Sequence, residues 1–315
     1  MTDHCRPTAA AFCAALIAVA LGVSAAVAGE TGRTLGGHTF LSSNAMTDPF
    51  ITTYVRSSTG FGVATDVLTV AEGPYGDEVT LEGDVVYLML DFEYQYAFTD
   101  WLAVRASASG YGRTGIDEET AVSPGLSGGG TTGIGATFRV WTAETAQISI
   151  TLDGAMSSLT ALTPLDFLKE VLEDGFDGDN SLVEGFEVWN TRAGLSGAWA
   201  PSEWVGFMAF WAQGVGEAHD TDTELEYSVG GLASLDLGKL TRVPVGILLS
   251  GKTDSFVYYG ADLAEGVVDA RVGVFYTGRP GLQVGLEGSK NWLPRLGDDE
   301  TIDAFTTALV MKYTF

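Results

Sequence analysis

Apolar and polar side chains alternate along most of this chain. Apolar residues recur at every second position with polar ones between them, the period of a strand whose two faces meet different surroundings. Over Val86 to Phe98 one face reads Val86, Leu88, Leu90, Phe92, Tyr94, Tyr96 and Phe98, and the other Tyr87, Met89, Asp91, Glu93 and Gln95. Leu102 to Arg113 sets Leu102, Val104, Ala106 and Ala108 against Arg105, Ser107, Ser109, Tyr111 and Arg113. Ala146 to Met156 places Ile148, Ile150 and Leu152 opposite Gln147, Ser149, Thr151 and Asp153. Val268, Val272, Val274 and Tyr276 oppose Asp269 and Arg271, and Leu282, Val284 and Leu286 oppose Gln283 and Glu287. Less regular stretches at 51–64, 134–141, 186–200, 204–215, 225–237 and 243–252, with the last stretch, 303–315, bring the number of predicted strands to twelve. In 204–215 the residues Trp204, Phe207, Phe210 and Trp211 fall on both faces, so its facing stays open.

The connections alternate as well. Short ones carry turn residues: Thr99-Asp100, 142–145, Pro201-Ser202-Glu203, 238–242 and Gly278-Arg279-Pro280. Long ones fall between them, at 65–85, 114–131, 157–185, 216–224, 253–265 and 293–302. Short turns on one side and long loops on the other are the habit of a membrane-spanning barrel. Both termini then lie on the short-turn side without adjustment. Trp189 and Trp199 share one face ten residues apart, which in a tilted strand spans roughly 25 Å, the height of the apolar band between two aromatic girdles.

The ends of the chain change the picture further. Residues 1–28 have a secretory pattern: Arg6, an apolar run from Ala9 to Val23, and Ala26-Val27-Ala28 as a cleavage site. Cys5 and Cys13 both lie inside it, so the rest of the chain carries no thiol chemistry. Residues 29–48 are polar and glycine-containing and read as a periplasmic lead-in, leaving 49–315 as the barrel. The final residues, with Tyr313 two before a terminal Phe315, resemble the assembly signal of Gram-negative outer-membrane β-barrel proteins. That resemblance implies the outer membrane as location and the outer-membrane assembly machinery as a partner through Tyr313 and Phe315. A looser resemblance attaches to Phe92-Glu93-Tyr94-Gln95-Tyr96-Ala97-Phe98-Thr99-Asp100-Trp101-Leu102-Ala103-Val104 and to Gly133-Ile134-Gly135-Ala136. These are similar to hairpins of outer-membrane transporters associated with aromatic-compound degradation, which implies a porin-like or transporter role.

Charge enters last. The net charge is −25, which excludes a basic nucleic-acid footprint. The excess negative charge falls in the long loops, at Glu72, Asp77 and Glu78, Asp117 to Glu119, Glu173, Asp174, Asp177 and Asp179, and Asp298 to Glu300. It reads as surface solubility or as contact with lipopolysaccharide through divalent ions. Asp174, Asp177, Asp179 and Asn180 do not meet the spacing of a calcium loop. Thr163 to Glu173 reads as a helix in the longest outer loop, capped by Thr163 and started by Pro164. Outside the leader the only histidines are His38 and His219, and neither lies beside a strand serine, so nucleophilic catalysis has no visible machinery. No catalytic, cofactor or metal residue is assigned.

The expectation is an all-β fold: a twelve-stranded antiparallel transmembrane β-barrel with a short helix in one outer loop. Its lumen-lining candidates are Arg56, Asp91, Glu93, Arg105, Arg113, Arg139, Asp153, Arg192, Glu226, Lys252, Asp269, Arg271 and Glu287. Signs nearly balance in this set. Turn lengths place Tyr96 opposite Leu102 and Glu93 opposite Arg105, and likewise Tyr276 opposite Leu282 and Arg271 opposite Glu287. The functional expectation is passive or facilitated passage of a small solute, in contact with outer-membrane lipid and lipopolysaccharide. The rival is a non-conducting structural or adhesive barrel.

Overall fold

A computed structural model describes residues 33–72, 78–116, 126–162, 183–218, 223–255, 266–294 and 301–315. Two short strands, β1 (Thr34–Leu35) and β2 (His38–Thr39), form a small hairpin of their own. Twelve long strands follow. They are β3 (Tyr54–Glu72), β4 (Glu78–Ala97), β5 (Leu102–Gly115), β6 (Leu126–Thr142), β7 (Ala146–Leu162) and β8 (Val183–Ser202). The second half comprises β9 (Val205–Ala218), β10 (Glu224–Asp236), β11 (Val245–Asp254), β12 (Val267–Arg279), β13 (Leu282–Pro294) and β14 (Thr301–Thr314). Each pairs antiparallel with its sequence neighbours, and β14 pairs with β3 from Asp303↔Thr65 down to Thr314↔Tyr54, closing the barrel. Closure matters because lipid offers no partner to an unpaired backbone amide.

The alternation read from the sequence becomes an inside and an outside. In β14, Phe305, Leu309, Met311 and Tyr313 are exposed, whereas Ala304, Ala308, Val310 and Lys312 are buried. In β9 the open facing resolves: Phe207 and Trp211 point outward, and Phe210 packs inward against the buried apolar cluster. Aromatic pairs near the short turns add to the outer surface. Trp101 stacks on Phe138 at 6.3 Å and Trp199 on Phe207 at 5.9 Å, and Tyr313 meets Phe315 edge-on at 5.0 Å.

The strands start and end at the short turns nearly where the alternation does. At the long-loop end they run further than predicted, for example to Gly115 in β5, Leu162 in β7 and Pro294 in β13. Hydrogen-bonded pairing does not need a two-faced pattern once the strand has left the hydrocarbon, so periodicity understates strand length there. The predicted cross-strand register differs by two residues. Tyr96 pairs with Val104 and Glu93 with Ser107, and Tyr276 pairs with Val284 and Gly273 with Glu287. A slip of two preserves every facing, because the side-chain period is two.

The turn between β10 and β11 is helical, α1 (Leu237–Thr241). Asp236 caps it by accepting from the Gly238 amide at 3.0 Å, and Arg242 ends it in the left-handed region at φ 65°. The helix expected at 163–173, the leader at 1–28 and most of the acidic loop residues lie outside the described residues.

The main departure concerns the lead-in. Residues 33–50 do not precede the barrel in the periplasm. They fold back into its bore, where Phe40, Leu41 and Phe50 are completely buried. Leu35, Phe40, Leu41, Met46 and Phe50 join Ala198, Ala200, Met208, Leu232, Leu248, Phe275, Ala308 and Val310 of the wall in one apolar core. The wall makes room by using small residues. At Gly206 a Cβ would lie 2.5 Å from both His38 and Phe40. A segment surrounded on all sides needs no hydrophobic period, which is why it reads as a loop.

Candidate functional site: the bore of the barrel

The bore has two parts. Its short-turn half is occupied by the N-terminal segment, held by wall side chains aimed at its backbone. Three buried glutamines do most of this. Gln95 donates to the carbonyls of Phe50 and Thr52 at 2.8 and 3.0 Å. Gln147 donates to Pro49 O at 2.7 Å, joined by the Ser149 hydroxyl at 2.6 Å. Gln283 donates to Phe40 O at 2.8 Å and accepts from the Ser42 amide at 3.1 Å. Each such bond satisfies a backbone group that a strandless segment would otherwise bury unpaired.

A buried ion triad locks the same region. Asp48 lies 2.8 Å from Arg33 Nε and 2.5 Å from Lys312 Nζ, and all three side chains are at most 3 % exposed. The ammonium of Lys312 also sits 3.4 Å above the Tyr54 ring. Burial alone would raise the Asp48 carboxyl, but the charges of Arg33 and Lys312 outweigh it and hold its pKa at about 2. His38 is fully buried. Its Nδ1 is 3.3 Å from Glu203 O and its Nε2 3.1 Å from Ser234 Oγ, which also accepts from the Leu41 amide. A carbonyl only accepts, so Nδ1 carries a proton; in the neutral ring the Ser234 hydroxyl then donates to Nε2. Burial favours that neutral ring by lowering the His38 pKa.

Above this segment the wall carries a belt of ion pairs. Glu93 is shared by Arg56 at 3.0 Å, Arg105 at 3.7 Å and the Tyr54 hydroxyl. Arg105 continues to Asp153, and Arg192 binds Glu226 at 2.7 Å. On the facing wall Arg271 takes Asp269 with two bonds of 2.7 Å and Glu287 with one of 3.0 Å. Lys252 binds Asp254 at 2.5 Å. Asp91 accepts from Ser58 at 2.8 Å and Arg113 donates to Ser127 at 2.5 Å. The cross-strand pairs expected from the sequence therefore meet on diagonals, Glu93 with Arg105 and Arg271 with Glu287.

Arg139 stands apart from this belt. It pairs at 3.3 Å with Asp100, a turn residue whose side chain is 82 % exposed, at the short-turn rim. Sequence reasoning missed Arg33, His38 and Asp48, because their segment carries no strand or helix period. It also missed Asp254, which lies two residues past the predicted end of its strand. Lys312 supplied the one available signal: a lysine on the inward face of the last strand needs a buried anion.

Between the N-terminal segment and the wall lies a cavity of about 140 Å³. Asn44 contributes the segment's side, and β4, β12, β13 and β14 contribute the rest through Tyr87, Met89, Arg271, Glu287, Ser289 and Asn291, among others. Among the described residues no group of three His, Cys, Asp or Glu side chains is placed to hold a metal ion.

A closed barrel of twelve antiparallel strands, apolar outside and ion-paired inside, defines a transmembrane barrel of the bacterial outer membrane. No family model and no curated protein matches the sequence. Solved structures do match in shape. The translocator domain of the autotransporter NalP from Neisseria meningitidis is 11% identical, with 84% of this chain and 88% of that chain covered and a TM-score of 0.50. The KdgM porin in complex with disordered oligogalacturonate is 10% identical, over 83% and 99%, at 0.40. The Pseudomonas putida toluene transporter TodX is 9% identical, over 90% and 96%, at 0.41. At these identities the likeness is one of fold.

Proposed function

We propose that this protein is a gated outer-membrane conduit for a small polar solute, with residues 33–50 as the gate. The observation that carries this reading is the contrast within the bore. The wall above the gate is lined by ion pairs, amides and hydroxyls around a cavity, whereas the gate itself is a separate stretch of chain rather than part of the wall. A polar lining suits a polar solute better than the hydrocarbon named for TodX. The one described histidine, His38, does reach a strand serine, Ser234 at 3.1 Å, but both are completely buried under the N-terminal segment with no room for a substrate, which supports a non-enzymatic role.

One observation favours the second reading, a non-conducting structural barrel. The gate is held by many specific bonds, and opening it breaks a buried ion triad. Planar-bilayer conductance decides between them. A gated conduit predicts a nearly silent parent and steady conductance in Asp48→Ala, where the triad is broken. Silence in both, with the variant still folded, supports the structural barrel.

A further inference from the structure

The chemistry of the 140 Å³ cavity is more selective than its charged residues suggest. Arg271 and Glu287 line it, yet both are satisfied within the protein. Arg271 spends Nε and Nη2 on Asp269 and Nη1 on Glu287. Glu287 accepts from Arg271 with one oxygen and from the Ser43 hydroxyl, at 3.3 Å, with the other. The Tyr87 hydroxyl is engaged with Thr306 at 2.6 Å and with Phe305 O. What remains is neutral. The Asn44 side-chain nitrogen is buried and has no hydrogen-bond partner. Ser289 and Asn291 line the same space, and their side chains make no hydrogen bond to any described residue. Met89 and Ala308 supply an apolar patch beside them.

We infer that this cavity is a binding site for a small uncharged polyhydroxylated solute, held by Asn44, Ser289 and Asn291 against Met89. An orphaned buried amide donor costs free energy that a hydroxyl acceptor would recover. An anion would face the Glu287 carboxylate and a cation the Arg271 guanidinium, so either charge meets repulsion in the cavity wall. The volume compares with a cavity of about 150 Å³ that holds a six-membered carbon ring, so glycerol, a polyol with the same number of non-hydrogen atoms, fits. Because Asn44 belongs to the N-terminal segment, occupancy also fixes the gate at its inner tip. The site deepens the conduit reading and rests on it for its biological meaning, but its occupancy can be measured without passage.

The test uses the full-length protein, refolded in detergent, with glycerol as probe and acetate and choline as charged controls. Saturation-transfer NMR is expected to show transfer to glycerol and none to either control. Ser289→Phe, which fills the cavity, should abolish the signal, and Asn44→Ala should weaken affinity about fivefold, the value of one neutral hydrogen bond. Heat-modifiable gel mobility checks that each variant still forms the barrel. If Ser289→Phe fails to fold, Asn291→Leu serves in its place. No transfer to glycerol, equal transfer to the charged controls, or an unchanged signal in the filled variant overturns the proposal. Binding to the parent without passage through Asp48→Ala in a liposome-swelling assay would leave this site standing and sink the conduit; passage through Asp48→Ala without binding to the parent would do the reverse.

Discussion

The two halves of the bore are held together by different physics. In the short-turn half, the triad of Arg33, Asp48 and Lys312 is almost fully desolvated and packed beside an apolar core that includes Phe40 and Phe50. In the outer half, charges pair along the wall with uneven access to water; the Asp153 side chain is 28 % exposed and that of Arg192 is 22 %, whereas Asp269 and Glu287 are as buried as the triad. Burying an ion is costly unless its partner is present, so a dry pair is brittle and a wet one forgiving. The difference teaches that the same alternating wall can serve as a core at one end and as a solvated lining at the other. What decides is whether a second piece of chain is available to exclude water.

The sharpest way to break this comparison is at its dry end. Asp48→Ala removes the anion shared by two buried cations and is expected to cost about 3–5 kcal/mol. Urea unfolding in detergent measures it, and a loss no larger than that of a wall pair would erase the distinction.

A wall residue gives a smaller effect. Arg105→Ala deprives Glu93 and Asp153 of a shared donor, but Glu93 keeps Arg56 and the Tyr54 hydroxyl, and Asp153 keeps partial contact with solvent. A loss of about 1–3 kcal/mol is expected, with altered ion selectivity in any conducting form.

Acid separates the halves more gently. The His38 pKa is lowered in the folded state, so the unfolded chain binds its proton first. Stability contributed by neutral His38 is present above the ordinary imidazole value of 6.5 and is lost as pH falls below it toward the lowered folded value. Asp48 works in a different window: its contribution is present above 3.8 and is lost only as pH falls through about 2. Between pH 7 and 5 the N-terminal segment should therefore become more open to protease, and His38→Gln should remove that pH dependence. A pH dependence that survives in His38→Gln would assign the effect elsewhere.

The smallest effect belongs to the lipid-facing surface. Lys290 pairs with Asp303 at 2.7 Å and lies within about 5 Å of the Trp292 and Phe305 rings, with its side chain 31 % exposed. Lys290 and Asp303 lie near the long-loop rim, where a charge on the outer face costs little, so Lys290→Met is expected to change stability by about 0–1 kcal/mol, measured by the same urea titration.

What the sequence determined by itself was the wall. Alternation with period two marked the twelve strands, turn length marked the two ends, and parity alone put the charges of the belt on one face, with Arg139 at the rim the exception. Even an error of two in register left Glu93, Arg105, Arg271 and Glu287 facing one another, because two residues return a strand to the same face. What only the tertiary structure decided was the content of the bore. Leu35, Phe40, Leu41, Met46 and Phe50 carry no strand or helix period, since a segment enclosed by the wall meets apolar surface in every direction. Their partners are distant in sequence: Lys312 reaches Asp48, Gln283 holds Phe40, and Gly206 leaves space for His38 and Phe40. A local pattern records which side of a strand faces water or lipid. It does not record which far part of the chain will come to fill the inside.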